Sequence, residues 1–278
     1  MKQRLQTFTR DNLTFKVIDQ GPLDGDVVIL LHGFPQRATC WDEVTPILNQ
    51  AGYRTLALDQ RGYTPGARPK GRKAYKVENL AGDVVALMDE IGEKAVHLVG
   101  HDWGSFVGYS VAGLYPERVK TYTSVSLPHP KAFRESFFSS RQWIHSWYMA
   151  FFQLPKLPEI MLINLKGIRN KQLSDSGMDQ VMLDCYQEEM VDEGALTGGI
   201  NWYRAFPYFA SIPKITVPTT HVWSRQDNSL EEKGARLNEK YMAGDYTLKI
   251  IDKGNHWLPD QNPTEVAQAI LERVKTVS

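Results

Sequence analysis

The sequence predicts an α/β protein, with a mostly parallel sheet covered by helices on both faces and a helical insertion in its second half. Three observations predict it. Short apolar runs of strand length alternate with stretches of helical periodicity. Val27–Leu31 is wholly apolar and the other runs carry few charged residues, as expected of strands buried on both faces. The alternation lapses between residues 129 and 213, which lack the Val-rich runs found on either side.

Taken in order, Val27–Leu31 and Arg54–Leu58 read as the first buried strands. Val77, Leu80, Val84, Met88 and Ile91 recur at spacings of three and four, one face of a helix. Residues 95–99 read as a strand, about 105–115 as a helix and 121–125 as a strand. Strands follow at 219–223 and 247–251. For the last helix Asn262 is the expected cap, Pro263 suits the first helical position, and Glu265 completes a capping-box pattern. The expected division is a sheet domain from residues 1–128 and 214–278, with a helical cap from 129–213. That insertion holds 85 residues and 14 of the 30 aromatics. Such an excess suits a small helical subdomain that needs a core of its own. It equally suits a lid whose inner face lines an apolar cavity.

Composition narrows the function classes. The 278 residues carry 32 Lys+Arg against 32 Asp+Glu, which argues against nucleic acid or an anionic membrane surface as partner. Cys40 and Cys185 are the only cysteines, so no disulfide framework is expected and a reducing compartment is the default. The first ten residues are polar and charged, without the apolar stretch of a secretory signal. Val27–Leu31 falls far short of the ~20 apolar residues that span a bilayer. The expectation is a soluble, cytoplasmic protein. No H-E-x-x-H, paired C-x-x-C, G-x-G-x-x-G or Walker loop occurs, so neither metal nor nucleotide cofactor is expected.

Gly100-His101-Asp102-Trp103-Gly104 directly follows one predicted strand and opens a helix. This is the setting of a nucleophile elbow, G-x-S-x-G, with Asp102 at the serine position. Taken alone, a Gly-rich turn with an aspartate capping the helix explains the same residues. Upstream, the strand Val27–Leu31 runs into His32-Gly33-Phe34-Pro35. There the backbone N–H of Phe34 can join that of Trp103 in an oxyanion hole. His32 reads as a structural hydrogen-bonder of that loop. Downstream come Asp227, just past residues 219–223, and His256, just past 247–251. Nucleophile, acid and histidine thus follow in elbow order, each in a loop after a strand. His97 and His221 fall in predicted strands and read as packing residues, and His129 and His145 lie in the aromatic segment.

An aspartate nucleophile changes the chemistry. A carboxylate attacking an ester or amide would form an anhydride that reverts. At a saturated carbon with a good leaving group it forms an alkyl ester instead. His256, oriented by Asp227, can then deprotonate a water that attacks the ester carbonyl. The leaving group can be a halide or the oxygen of a strained epoxide, and only the oxygen needs an acid as its bond breaks.

These residues resemble the α/β-hydrolase fold, and within it the epoxide hydrolase and haloalkane dehalogenase group. The resemblance rests on the His32–Pro35 loop, the Gly100–Gly104 elbow, Asp227 and His256. It implies a cap inserted in the sheet, where the aromatic segment falls. It also implies two cap tyrosines that donate to an epoxide oxygen. Asn201-Trp202-Tyr203-Arg204 resembles one of their motifs, and Tyr148, four residues before Phe152-Gln153-Leu154-Pro155, matches the other. Phe34, Trp103, Tyr148 and Tyr203 would then contact substrate. The dehalogenase alternative is weaker, because a Phe side chain at position 34 cannot donate to a halide and the 125–130 segment holds no carboxylate. Fluoroacetate-type enzymes usually place an Arg where Trp103 stands. The segment 61–69 resembles a bacterial subset with varied substrates. The resemblance therefore implies a cofactor-independent epoxide hydrolase acting on a small apolar epoxide and water. Assembly as a homodimer is left open, and a non-catalytic ligand-binding protein on the same fold is the remaining alternative.

Overall fold

The computed structural model describes residues 3–277; Met1 and Lys2 of the polar N-terminal stretch, and Ser278, lie outside them. A hairpin opens the chain, β1 (Thr7–Arg10) and β2 (Leu13–Gln20), turning through Asp11 and Asn12 at positive φ. The core continues with β3 (Val27–Leu31), α1 (Thr45–Gln50), β4 (Arg54–Leu58), α2 (Val77–Glu90), β5 (Val96–His101), α3 (Trp103–Leu114) and β6 (Val119–Val125). Seven helices follow: α4 (Pro130–Ser139), α5 (Gln142–His145), α6 (Trp147–Phe151), α7 (Leu157–Asn164), α8 (Lys166–Asp175), α9 (Gln180–Tyr186) and α10 (Leu196–Ala205). The chain returns to the sheet with β7 (Thr219–Ser224), α11 (Glu232–Leu237), β8 (Tyr246–Ile251), α12 (Leu258–Gln261) and α13 (Pro263–Val274).

The eight strands form one sheet in the order β1-β2-β4-β3-β5-β6-β7-β8. Pairing is antiparallel for β1–β2 and β2–β4 and parallel from β4 to β8. Strand alternation explains the unbroken apolar run of β3. Ile29, Leu31, Leu56, Leu58 and Leu98 join Val84, Met88, Val107 and Val111 of α2 and α3 on one face. Val28, Leu30, Ala57, Val99 and Val222 join Leu48, Val266 and Ile270 of α1 and α13 on the other. Two layers of helix therefore bury both sides of each central strand.

The hairpin was not among the predicted strands. β2 alternates, with Phe15 and Val17 buried and Thr14 and Lys16 exposed, so a search for apolar runs passes over it. One local expectation needs correction. Pro263 opens α13 as expected, but Asn262 makes no capping bond, and its amide donates to the Lys253 carbonyl instead. The elbow helix also begins two residues earlier than predicted, at Trp103.

Candidate active site

The register sets the ends of the central strands side by side: Leu31 pairs with Gly100, and His101 with Val125. The loops beyond these ends build the site, at the carboxyl edge where open α/β sheets place ligands. Asp102 stands alone between β5 and α3 at φ 50° and ψ −120°, a conformation rare outside glycine. The turn is this tight because Gly104 lies against the Leu31 and His32 carbonyls, where a Cβ would collide with backbone. Gly33 is likewise confined by the Asp102 side chain.

The Asp102 carboxylate is surrounded by donors. The Phe34 N–H donates to its Oδ1 at 3.0 Å, and the Trp103 backbone also hydrogen-bonds it. Its Oδ2 lies 3.6 Å from His256 Nε2. Burial pushes the Asp102 carboxyl up, but the His256 hydrogen bond and charge outweigh this and hold it below its ordinary range. His256 Nδ1 lies 3.0 Å from Asp227 Oδ2. Asp227 is fixed in turn, its Oδ1 accepting from the N–H groups of Ser229 and Leu230 at 2.8 and 2.9 Å. One Asp227 oxygen thus pins its own turn while the other faces the imidazole. Burial would depress the His256 imidazolium; Asp227 and Asp102, through charge and hydrogen bonds, lift it instead to about 10.

Tyr148 on α6 and Tyr203 on α10 face this carboxylate from the insertion. Their rings lie 5.7 Å apart at 77°, and both phenols are raised by burial and by the Asp102 charge, with Tyr148 also beside Tyr203. The Asn201–Arg204 stretch explains how α10 is placed. Trp202 Nε1 donates to the Arg61 carbonyl at 2.7 Å, and Arg61 is itself paired with buried Asp83. Arg204 reaches the Phe152 and Leu154 carbonyls and pairs with Glu159, tying the end of α6 to α10. Tyr203 lies between these two anchors, its ring edge-on to Trp103 at 4.9 Å and to Phe34 at 5.4 Å.

Phe34, Asp102, Tyr148, Tyr203 and His256 line one cavity of about 470 Å³. Its apolar walls include Phe151, Phe152, Leu162 and Trp257. A second cavity of about 50 Å³ also reaches Asp102, Tyr148, Tyr203 and His256. The seven residues proposed from the sequence as catalytic or substrate-contacting therefore converge on one place.

Other residues of the site left no local trace in the sequence. His101 Nε2 lies 2.9 Å from the His256 carbonyl, and Ser126 Oγ donates to the same oxygen at 3.0 Å. Buried Gln142 donates to the Ser229 carbonyl and accepts from the Glu231 N–H, clamping α5 onto the Asp227 loop. Of the remaining histidines all but His145 stand apart from the cavity. His32 Nε2 accepts from the Gln60 N–H, His97 bonds Thr121 and Asp26, and His221 bonds Ser124. His129 caps α4, whereas His145 lies at the cavity wall. Among the described residues no group of His, Cys, Asp and Glu could hold a metal ion, and no helix is long and apolar enough to cross a membrane.

Residues 26–263 match the model of the α/β-hydrolase fold family. The chain is 32% identical to the AB hydrolase superfamily protein YfhM of Bacillus subtilis over 98% of each chain. It is 30% identical to epoxide hydrolase A of Mycobacterium tuberculosis over 94% of each. Epoxide hydrolase 4 of Mus musculus is 31% identical over 90% of this chain and 73% of its own. Among solved structures, an epoxide hydrolase from hot-environment metagenomes superposes with a TM-score of 0.85 at 26% identity, covering 99% of both chains. The Bacillus megaterium epoxide hydrolase in complex with an inhibitor shares the fold at a TM-score of 0.86 and 22% identity, over 97% of this chain and 100% of its own.

Proposed function

The chain belongs to the α/β-hydrolase fold family, and from that premise we propose that it is an epoxide hydrolase, converting an apolar epoxide and water to a vicinal diol through an ester on Asp102. One observation carries the reading: two tyrosines from the insertion and the largely buried aspartate of the elbow line one mostly apolar cavity. Residues 129–213 then act as a cap, supplying the donors that the sheet domain lacks.

In the first step an Asp102 carboxylate oxygen forms a bond to one ring carbon, and the carbon–oxygen bond of the ring breaks. Tyr148 and Tyr203 hydrogen-bond the departing oxygen, and one of them passes it a proton. General-acid help of this kind is worth about 10²–10⁴ in rate. The phenols of half-buried Tyr148 and buried Tyr203, both of raised pKa, suit the task, since they stay protonated until the alkoxide forms.

The second step needs a base, and His256 begins as its conjugate acid, with a pKa of about 10. Asp102 is one of the two carboxylates that hold that proton. Esterification removes its charge, so the imidazolium becomes more acidic and can return a proton to the tyrosinate. Neutral His256, still oriented by Asp227, then takes a proton from water as the water attacks the ester carbonyl. The Phe34 and Trp103 N–H groups face the oxyanion, a pair of donors worth about 10²–10³ each. Collapse of the intermediate breaks the ester C–O bond, the water-derived hydroxyl passes its proton to the departing alkoxide, and the diol leaves with the water oxygen in the Asp102 carboxylate and His256 again an imidazolium.

A single turnover in ¹⁸O-labelled water with enzyme in excess tests this order of events. Label is expected in the Asp102-containing peptide. Label in the diol instead would sink the covalent route.

A further inference from the structure

The two cavities that meet at Asp102 differ in volume by nearly tenfold, about 470 Å³ against about 50 Å³. Each reaches Asp102, Tyr148, Tyr203 and His256, so the reacting centre lies at their junction. An epoxide with its oxygen at the two phenols and a ring carbon at Asp102 is held at three atoms. Its two carbons must then send their substituents apart, one into each chamber.

The chambers offer these arms different room. Pro130 and Phe133 at the start of α4, Met149 on α6, Phe206 after α10 and Leu230 beside Asp227 close in the smaller one. By the same measure of free volume it has about a ninth of the room of the larger one. The larger one runs past Phe151, Leu162 and Leu173 to a polar rim at Gln172, Asp175 and Asn228. A long or aromatic arm fits there and nowhere else around Asp102.

We infer that the site selects epoxides with one bulky apolar arm, the other ring carbon carrying hydrogen or a much smaller group. Epoxides with two bulky arms are rejected because one arm must enter the small chamber. This inference rests on the epoxide-hydrolase reading and specifies its substrate class. It follows from the inequality of the chambers, and the sequence alone held no sign of it.

The test compares isomers of equal carbon number and similar hydrophobicity: an epoxyoctane with a terminal ring and one with its ring at mid-chain. Styrene oxide and trans-stilbene oxide form a second, aromatic pair. Terminal substrates should be favoured in kcat/KM by about 100-fold or more, since each misplaced methylene in a fitted pocket is worth roughly tenfold or above. Phe133→Ala and Met149→Ala, each enlarging the small chamber, should raise the mid-chain to terminal ratio at least about tenfold. Ile168→Ala, exposed on α8 and lining neither chamber, should leave that ratio where it was. Equal kcat/KM for both isomers in the unaltered protein would overturn the inference. A terminal preference that neither Phe133→Ala nor Met149→Ala shifts would overturn the assignment of the small arm to this chamber. Failure to open any of the four epoxides would overturn the epoxide-hydrolase reading itself, a separate outcome.

Discussion

The sheet and the insertion solve different problems with the same chain. Strands β3 to β7 are almost wholly buried, and each central strand feeds two hydrophobic layers. By contrast, twelve of the fourteen large apolar side chains exposed among the described residues lie between Phe138 and Phe206. The sheet fixes one carboxylate, one histidine and one acid through short loops with little freedom. The insertion contributes Tyr148 and Tyr203 from short helices held by a few side-chain clamps. On the proposed mechanism the division is also chemical. The sheet side forms and hydrolyses the ester, and the insertion side assists only the ring oxygen.

The largest expected effects break the sheet side. Asp102→Asn should lower kcat by about 10⁴-fold or more, as loss of a nucleophile does elsewhere. The same change should drop the His256 pKa below about 10, because one of its two carboxylate partners loses its charge. An NMR titration of the imidazole reads that shift; an unmoved value would break the coupling between the two residues. His256→Gln should leave ring opening intact and halt the second step. The alkylated Asp102 peptide should then accumulate and be found by mass spectrometry.

Tyr203→Phe sharpens the contrast from the insertion side. It should slow ester formation by about 10² without accumulating the ester, since its lost proton serves only ring opening. If Tyr203→Phe and His256→Gln trapped the intermediate alike, the two regions would not divide the reaction as proposed. Stability should also depend on pH through the sheet side. His256 has its folded pKa raised from 6.5 to about 10, so its contribution is complete below about 6.5 and is lost as pH rises through 10. The denaturation midpoint should therefore fall between pH 7 and 10 in the unaltered protein, and fall less in His256→Gln.

Legibility in the sequence follows the same boundary. The central strands could be read because burial on both faces keeps them nearly free of charged side chains, and Val27–Leu31 and Arg54–Leu58 end where the patterning ends. The hairpin could not, because β2 faces solvent on one side and spreads its apolar residues over alternate positions. The seven helices of the insertion could be expected as a group but not placed. Two of them are only four and five residues long, and neither has a side-chain cap to mark its start. In the site, Asp102 stood out because an elbow is a local arrangement of glycines around one residue. His101 and Ser126 did not, because both reach the backbone carbonyl of His256, 155 and 130 residues away in sequence. No pattern in side-chain types encodes a contact made to a distant peptide oxygen.

Trp202→Phe carries the smallest effect and tests whether the insertion needs its anchor. The indole N–H of Trp202 donates to the Arg61 carbonyl at 2.7 Å, and the side chain is buried. Phenylalanine keeps a ring but leaves that carbonyl without this donor, which costs about 1–3 kcal/mol. Since Tyr203 follows directly on α10, loosening the anchor should displace its hydroxyl relative to Asp102. The expected result is a modest loss of stability with a several-fold fall in the rate of ring opening, while hydrolysis of a preformed ester keeps its rate. Equal slowing of both steps would mean that the anchor supports the sheet side too, and the two regions would then be less separable than their contacts imply.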